Sequence, residues 1–161
     1  MTTLFDPITE FRADHRKVRD GLLVLASAAE TGDLETARKT LGAIDTLVGP
    51  HFRYEEESLY PALREFLGEY VDQLVAEHKG VIDTAKVAAS LLSKPTLTKE
   101  EGSAVAKAAR SLLVHVSNCD GLNILAERFS NEKLTSLGQK YQASRKAGVG
   151  LLKWADTIRA K

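Results

Sequence analysis

The segment HFRYEEESLYP, residues 51–61, places metal-binding residue types at a spacing that a helix turns to one face. His51 and Glu55 are four positions apart, and side chains at i and i+4 lie about 5–6 Å from each other on a helix. Imidazole nitrogen and carboxylate oxygen both bind transition metals. The pair therefore predicts part of a metal site, which other segments must complete at the same depth.

The remaining sequence indicates an all-helical fold. Apolar residues recur at spacings of three and four, the period of a helix with one buried face. Asp6 followed by Pro7 is typical of a helix start, and Thr98 with Glu101 matches a capping box. Because the connections are short, we predict an antiparallel four-helix bundle, with an additional C-terminal helix at about residues 131–160.

The predicted second helix contains an interruption, Gly49–Pro50. Proline removes one hydrogen bond of the helix and crowds the preceding turn. The apolar period nevertheless continues beyond Pro50, so we predict a kink rather than the end of the helix.

The four histidines of the chain are predicted to lie in one layer of this bundle. In antiparallel neighbours, a residue some distance before a turn faces one equally far after it. With turns near positions 32, 65 and 96, His15 is reflected to about position 49, His51 to about 79 and His78 to about 114. The sequence has histidine at 51, 78 and 115. All four imidazoles should therefore meet on the inward side of the bundle.

A single histidine on an apolar face is more often a hydrogen-bonded core residue than a metal ligand. Four imidazoles and the Glu55 carboxylate in one layer are a different case, because buried polar groups without partners are costly. Metal ligation removes that cost, since each nitrogen and oxygen becomes a donor to a cation. The set of five residues therefore predicts a metal site.

At this point the sequence resembles the hemerythrin-like family, whose members hold a non-haem di-iron site inside an up-down-up-down four-helix bundle. The resemblance covers about residues 8–130 and is most specific in HFRYEEESLYP. It implies a single domain, residues 1–161, with its bundle at about 6–130. It also implies two iron ions joined by an oxo or hydroxo bridge, with Glu55 bridging them, although zinc or manganese would suit the same donors. The implied ligands are His15, His51, Glu55, His78 and His115.

The fourth helix departs from the family pattern. Aligning HVSNCDGLNIL with HFRYEEESLYP places Cys119 opposite Glu55 and Asp120 opposite Glu56. Cys119 faces the core better, because i+4 lies about 40° from the histidine and i+5 about 140° away. Some family members have an aspartate five residues after this histidine, so we favour Asp120 as the second bridging carboxylate, which requires a helical bulge. The alternatives for Cys119 are a competing ligand or a small buried hydrophobe.

The third helix has only one histidine, because Leu74 and Ile82 stand one turn from His78. Oxygen-carrying family members have two histidines there, so the resemblance implies at least one extra open position for a small ligand. Other polar residues near this layer are assigned lesser roles. Tyr54, Tyr60 and Tyr70 could lie close enough to hydrogen-bond a ligand but are interpreted as packing residues. Glu56 is interpreted as solvated or bonded to a ligand, and Asp14 as a surface charge.

Composition excludes several functions. Lys and Arg together number 22, as do Asp and Glu, so no net field favours nucleic acid or an anionic membrane. No signal peptide or membrane-spanning run is found. The single cysteine cannot form an internal disulfide, and we expect a cytoplasmic protein.

Three functions fit the sequence. The favoured one is a di-iron protein that binds dioxygen, nitric oxide or peroxide in a binding, sensing or storage role. The second is an enzyme that turns over peroxide or nitric oxide or repairs iron centres. The third is a helical interaction module without metal. The C-terminal helix would pad the bundle or form a homodimer contact.

Overall fold

A computed structural model describes residues 5–160, and the predicted all-helical fold is confirmed within that range, where no strand occurs. None of the helices described there is long and apolar enough to cross a membrane. The elements are α1 (Pro7–Thr31), α2 (Leu34–Tyr54), a π-helical turn (Glu55–Leu59), α3 (Tyr60–Leu67), α4 (Tyr70–Leu92), α5 (Lys99–Asp120), α6 (Asn123–Ala126), α7 (Asn131–Ala147), α8 (Leu151–Trp154) and a second π-helical turn (Ala155–Arg159).

The helix boundaries follow the capping residues of the sequence. The Asp6 side chain accepts a hydrogen bond from the backbone N–H of Ile8 at the start of α1. Thr98 and Glu101 form both bonds of a capping box at the start of α5, each 3.1 Å long. These bonds satisfy N–H groups that have no partner inside the helix, which fixes where each helix begins.

The second helix continues through Pro50, as predicted, and it widens into a π-helical turn at Glu55–Leu59 before α3 begins. The bulge that we associated with Asp120 is not found in the fourth helix, because α5 ends at Asp120 as an ordinary α-helix. A π-helical turn changes which residues share a face. Glu55 and Tyr60, five positions apart, consequently reach the same place, with Tyr60 Oη 3.2 Å from Glu55 Oε2.

Two clusters of buried apolar side chains lie on either side of the histidine layer. In α1, Phe11 belongs to one cluster and Val18 to the other. In α4, Leu74 and Ile82, which flank His78 by one turn each, are divided in the same way. The layer is therefore a polar plane in the middle of an otherwise apolar interior.

The segment expected to form one C-terminal helix is divided at Gly148, which caps α7 with φ of 62° and is followed by α8. Both α7 and α8 pack against α2. At Gly49 a Cβ atom would lie 2.6 Å from the carbonyl carbon of Gly150 and 2.7 Å from the nitrogen of Leu151, and closer still to the Val149 oxygen. Gly49 is therefore required for close approach of the C-terminal backbone, next to His51.

Candidate metal centre

The structure brings the five residues of the predicted layer, together with Cys119, into two groups of metal-binding side chains. Within each group the donor atoms lie within 4.8 Å of one another. The first triad is His15, His51 and Glu55, and the second triad is His78, His115 and Cys119. Glu55 and His78 are fully buried, and His15 and His51 are 6% and 3% exposed.

Glu55 lies between the two triads. Its Oε1 is 3.1 Å from Nε2 of His51, and its Oε2 is 2.8 Å from Nε2 of His78. In the described chain, Oε1 makes no hydrogen bond of acceptable geometry, and neither does the buried Nε2 of His15. Two buried polar atoms without partners in one triad are costly unless a further atom binds them. A cation between them fits this donor set.

Each histidine also faces an acidic residue with its other ring nitrogen. We call these four the outer carboxylates. The contacts from Nδ1 are His15 to Asp120, His51 to Asp14 and His78 to Glu56, each 3.0 Å, and His115 to Glu77, 3.7 Å. A histidine that donates its Nδ1–H to a carboxylate keeps Nε2 unprotonated and available to a metal. His15, His51 and His78 are arranged in this way, whereas the 3.7 Å between His115 and Glu77 is too long for a hydrogen bond.

The outer carboxylates form a closed ring around the bundle. Asp14 of α1 contacts His51 of α2, and Glu56 from the π-helical turn after α2 contacts His78 of α4. Glu77 of α4 lies near His115 of α5, and Asp120 of α5 contacts His15 of α1, which completes the ring. Each helix thus supplies a ligand-type residue and, one position away in sequence, the carboxylate that orients a histidine on the next helix.

Two tyrosines assist this arrangement. Tyr60, fully buried, places its Oη 3.0 Å from Nε2 of His78 and 3.7 Å from Sγ of Cys119. Tyr141, from α7, donates to Asp14 and lies 2.9 Å from Nδ1 of His51. The sequence interpretation of Asp14 as a surface charge is wrong, because Asp14 is 1% exposed. Tyr60, interpreted as a packing residue, does lie in the buried core, and its hydroxyl also contacts the site.

Cys119 and Asp120 occupy different surroundings. Cys119 is buried, with Sγ 3.3 Å from Nε2 of His115 inside the second triad. Asp120 is the last residue of α5, and its half-exposed side chain contacts His15 on Nδ1, the nitrogen that points away from the first triad. Burial and the Glu55 charge hold the pKa of the Cys119 thiol well above its usual range, so the metal-free protein keeps it protonated.

The pKa values of the four imidazoles are shifted in opposite directions. Burial lowers the pKa of His51, but the Glu55 and Asp14 carboxylates outweigh it and raise that pKa to about 9. The pKa of His78 is raised despite burial, by Glu55 and Glu56. Burial and the charge of His78 lower the pKa of His115 to about 4, and burial with the charge of His51 lowers that of His15. His51 and His78 in turn hold the pKa of the Glu55 carboxyl well below its usual range, despite burial.

A largely apolar cavity of about 60 Å³ adjoins both triads. Side chains of the site, including His15, His51 and His115, form one part of its wall. Apolar residues of the bundle interior form the rest, among them Leu22 and Ala109. The site thus faces a small space with almost no polar lining.

A helical bundle with a buried histidine and carboxylate centre defines a class of metal-cation-binding proteins. Within that class, the chain belongs to the hemerythrin HHE cation-binding domain family, whose model matches residues 6–121. No curated protein and no solved structure gave a significant match. The matched range ends just after α5, so α6, α7 and α8 lie outside it.

Proposed function

We propose that the chain is a cytoplasmic hemerythrin-like di-iron protein that binds a small oxidant in a binding, sensing or storage role. The position of Glu55 carries the proposal, because one carboxylate oxygen reaches each triad. The four histidines and Glu55 would hold two ions, with Nε2 of each imidazole as the donor. Bound iron would supply redox capacity and an open coordination position for the oxidant.

The cavity supports an uncharged diatomic ligand, such as dioxygen or nitric oxide, over peroxide. Its volume of about 60 Å³ exceeds the ~10–15 Å³ needed to admit one water molecule. It is nevertheless too small for an extended organic molecule. Empty apolar cavities bind apolar guests. This cavity could therefore bind an apolar diatomic molecule beside the triads.

The test is the metal content and the absorption spectrum of protein purified from iron-supplied cells. We expect close to two iron ions per chain, one for each triad, and an oxo-bridge charge-transfer band that changes when dioxygen or nitric oxide is added. Well under one iron per chain with no such band would refute the di-iron proposal. A melting temperature unaffected by ferrous iron or zinc would instead favour a module without metal, because a bound ligand stabilises the native state.

We also propose Cys119 rather than Asp120 as the further donor, with Asp120 orienting His15. Cys119→Ser should lower the affinity of the second triad for its ion. It should also remove any thiolate-to-iron absorption, because a coordinating thiol is deprotonated by the metal. Asp120→Asn should lower the affinity of the first triad for its ion about tenfold and leave that absorption unchanged. The two variants, compared by metal titration, separate the two assignments. Loss of the second ion in Asp120→Asn, with Cys119→Ser unchanged, would make Asp120 the ligand.

A further inference from the structure

Two arginines of the C-terminal segment, residues 131–160, bind outer carboxylates. From α7, Nη2 of Arg145 donates to Oδ1 of Asp14 at 3.0 Å, while Nη1 donates to Glu10 at 2.8 Å. From the second π-helical turn, Nε of Arg159 donates to both oxygens of Glu56, at 2.9 and 3.2 Å. The C-terminal segment therefore reaches the site at two separate points.

The two outer carboxylates that these arginines bind belong to histidines of different triads. Asp14 orients His51 of the first triad, and Glu56 orients His78 of the second. Asp14 is 1% exposed and the Glu56 side chain 12%, so both are shielded from water as well as anchored. The other two outer carboxylates, Asp120 and Glu77, are roughly half exposed and make no ion pair with lysine or arginine within residues 5–160.

We infer that the C-terminal segment is a positioning element of the metal centre, with Arg145 acting through Asp14 on His51 and Arg159 acting through Glu56 on His78. The inference rests on the proposed function, since it requires that these histidines hold metal. A guanidinium donates in a fixed plane, so it orients the carboxylate that it binds. An oriented carboxylate in turn fixes the plane of the imidazole whose Nδ1–H it accepts.

The packing of the segment keeps both arginines in place. The Arg145 guanidinium lies 4.7 Å from the ring centre of Tyr141, which itself donates to Asp14. Arg159 also donates from Nη2 to the backbone oxygen of Val75 at 3.0 Å. Trp154, one turn before Arg159, is 1% exposed in the apolar core. Neither arginine is therefore a loosely held surface side chain.

The experiment measures iron affinity in Arg145→Gln, Arg159→Gln and the double variant, with ferrous iron titrated anaerobically against a chromogenic chelator. Each single variant should lower the affinity for one of the two iron ions about tenfold, and the double variant should lower the affinity for both. Arg145→Lys should recover the affinity only in part, because one ammonium cannot reproduce the two-armed contact with Asp14 and Glu10.

Arg110→Gln is the matched control. Arg110 bridges α5 to Glu30 of α1 through two nitrogens, and this pair does not contact either triad. Its removal should leave both iron equivalents unchanged. If Arg145→Gln and Arg159→Gln keep the wild-type iron affinity and only melt at a lower temperature, the segment has a structural role alone. That result would overturn the inference. A wild-type protein that binds no metal would refute the proposed function itself, and the inference with it.

Discussion

If the chain holds the two proposed ions, one for each triad, Glu55→Gln is expected to lower the metal content of the purified protein to fewer than one ion per chain. One oxygen of the Glu55 carboxylate reaches each triad, and its pKa is held well below the usual range despite burial, by His51 and His78. A neutral amide keeps the shape but loses the charge and offers only one oxygen donor. The measurement is metal analysis of protein purified with and without added iron.

A buried charge that loses its partner can destabilise a protein by ~3–5 kcal/mol, so Glu55→Gln requires a second variant. Glu55→Asp keeps the charge but is shorter by one methylene group, and it should retain at most one of the two ions. Glu57→Gln is the control, because Glu57 lies in the same π-helical turn with a half-exposed side chain paired to Arg53. Two ions per chain in a folded Glu55→Gln protein would contradict the bridging role.

The convergence of the histidines could be predicted because it depends only on regular geometry. Helices joined by short turns place their residues at matching depths, and each histidine occupied an apolar seam of its own helix. His15, His51, His78 and His115 therefore needed no knowledge of side-chain rotamers. The same argument predicted the position of Glu55, one turn from His51.

The outer carboxylates could not be predicted in the same way. Asp14 is adjacent to His15 and points away from the seam of α1, which locally indicates a surface charge. It is buried because α7 brings Tyr141 and Arg145 over it, and the docking of α7 follows from long-range packing. One signal was present in the sequence, since each outer carboxylate stands next to a ligand-type residue.

A proline lies just after the π-helical turn that follows the second helix. Pro61 follows the turn, lacks a backbone N–H and crowds the carbonyl four residues earlier, which belongs to Glu57. The Tyr60 N–H instead bonds to the oxygen of Glu55, five residues back. The fourth helix has no proline in the corresponding position of HVSNCDGLNIL. The pseudo-repeat thus shares its histidine but neither the proline nor the π-helical turn.

Gly49→Ala is expected to lower the free energy of unfolding by about 2–3 kcal/mol, near the upper end for overpacking. The added methyl group would meet backbone atoms of Val149, Gly150 and Leu151, and a backbone cannot move aside by changing a rotamer. For a protein of this size, that loss corresponds to a melting temperature lower by about 5–10 °C. Thermal unfolding of the metal-free protein measures it.

Gly42→Ala is the matched control on the same helix, because a Cβ atom at Gly42 meets nothing within 4 Å. Alanine is the better helix former, so this variant should gain about 0.5–1 kcal/mol. If the proposed di-iron site is present, Gly49→Ala should also weaken the binding of both ions, since displacing residues 149–151 shifts the backbone between Arg145 and Arg159. If Gly49→Ala instead stabilises the protein as Gly42→Ala does, the C-terminal segment does not pack closely against α2, and neither arginine could orient the ligand histidines.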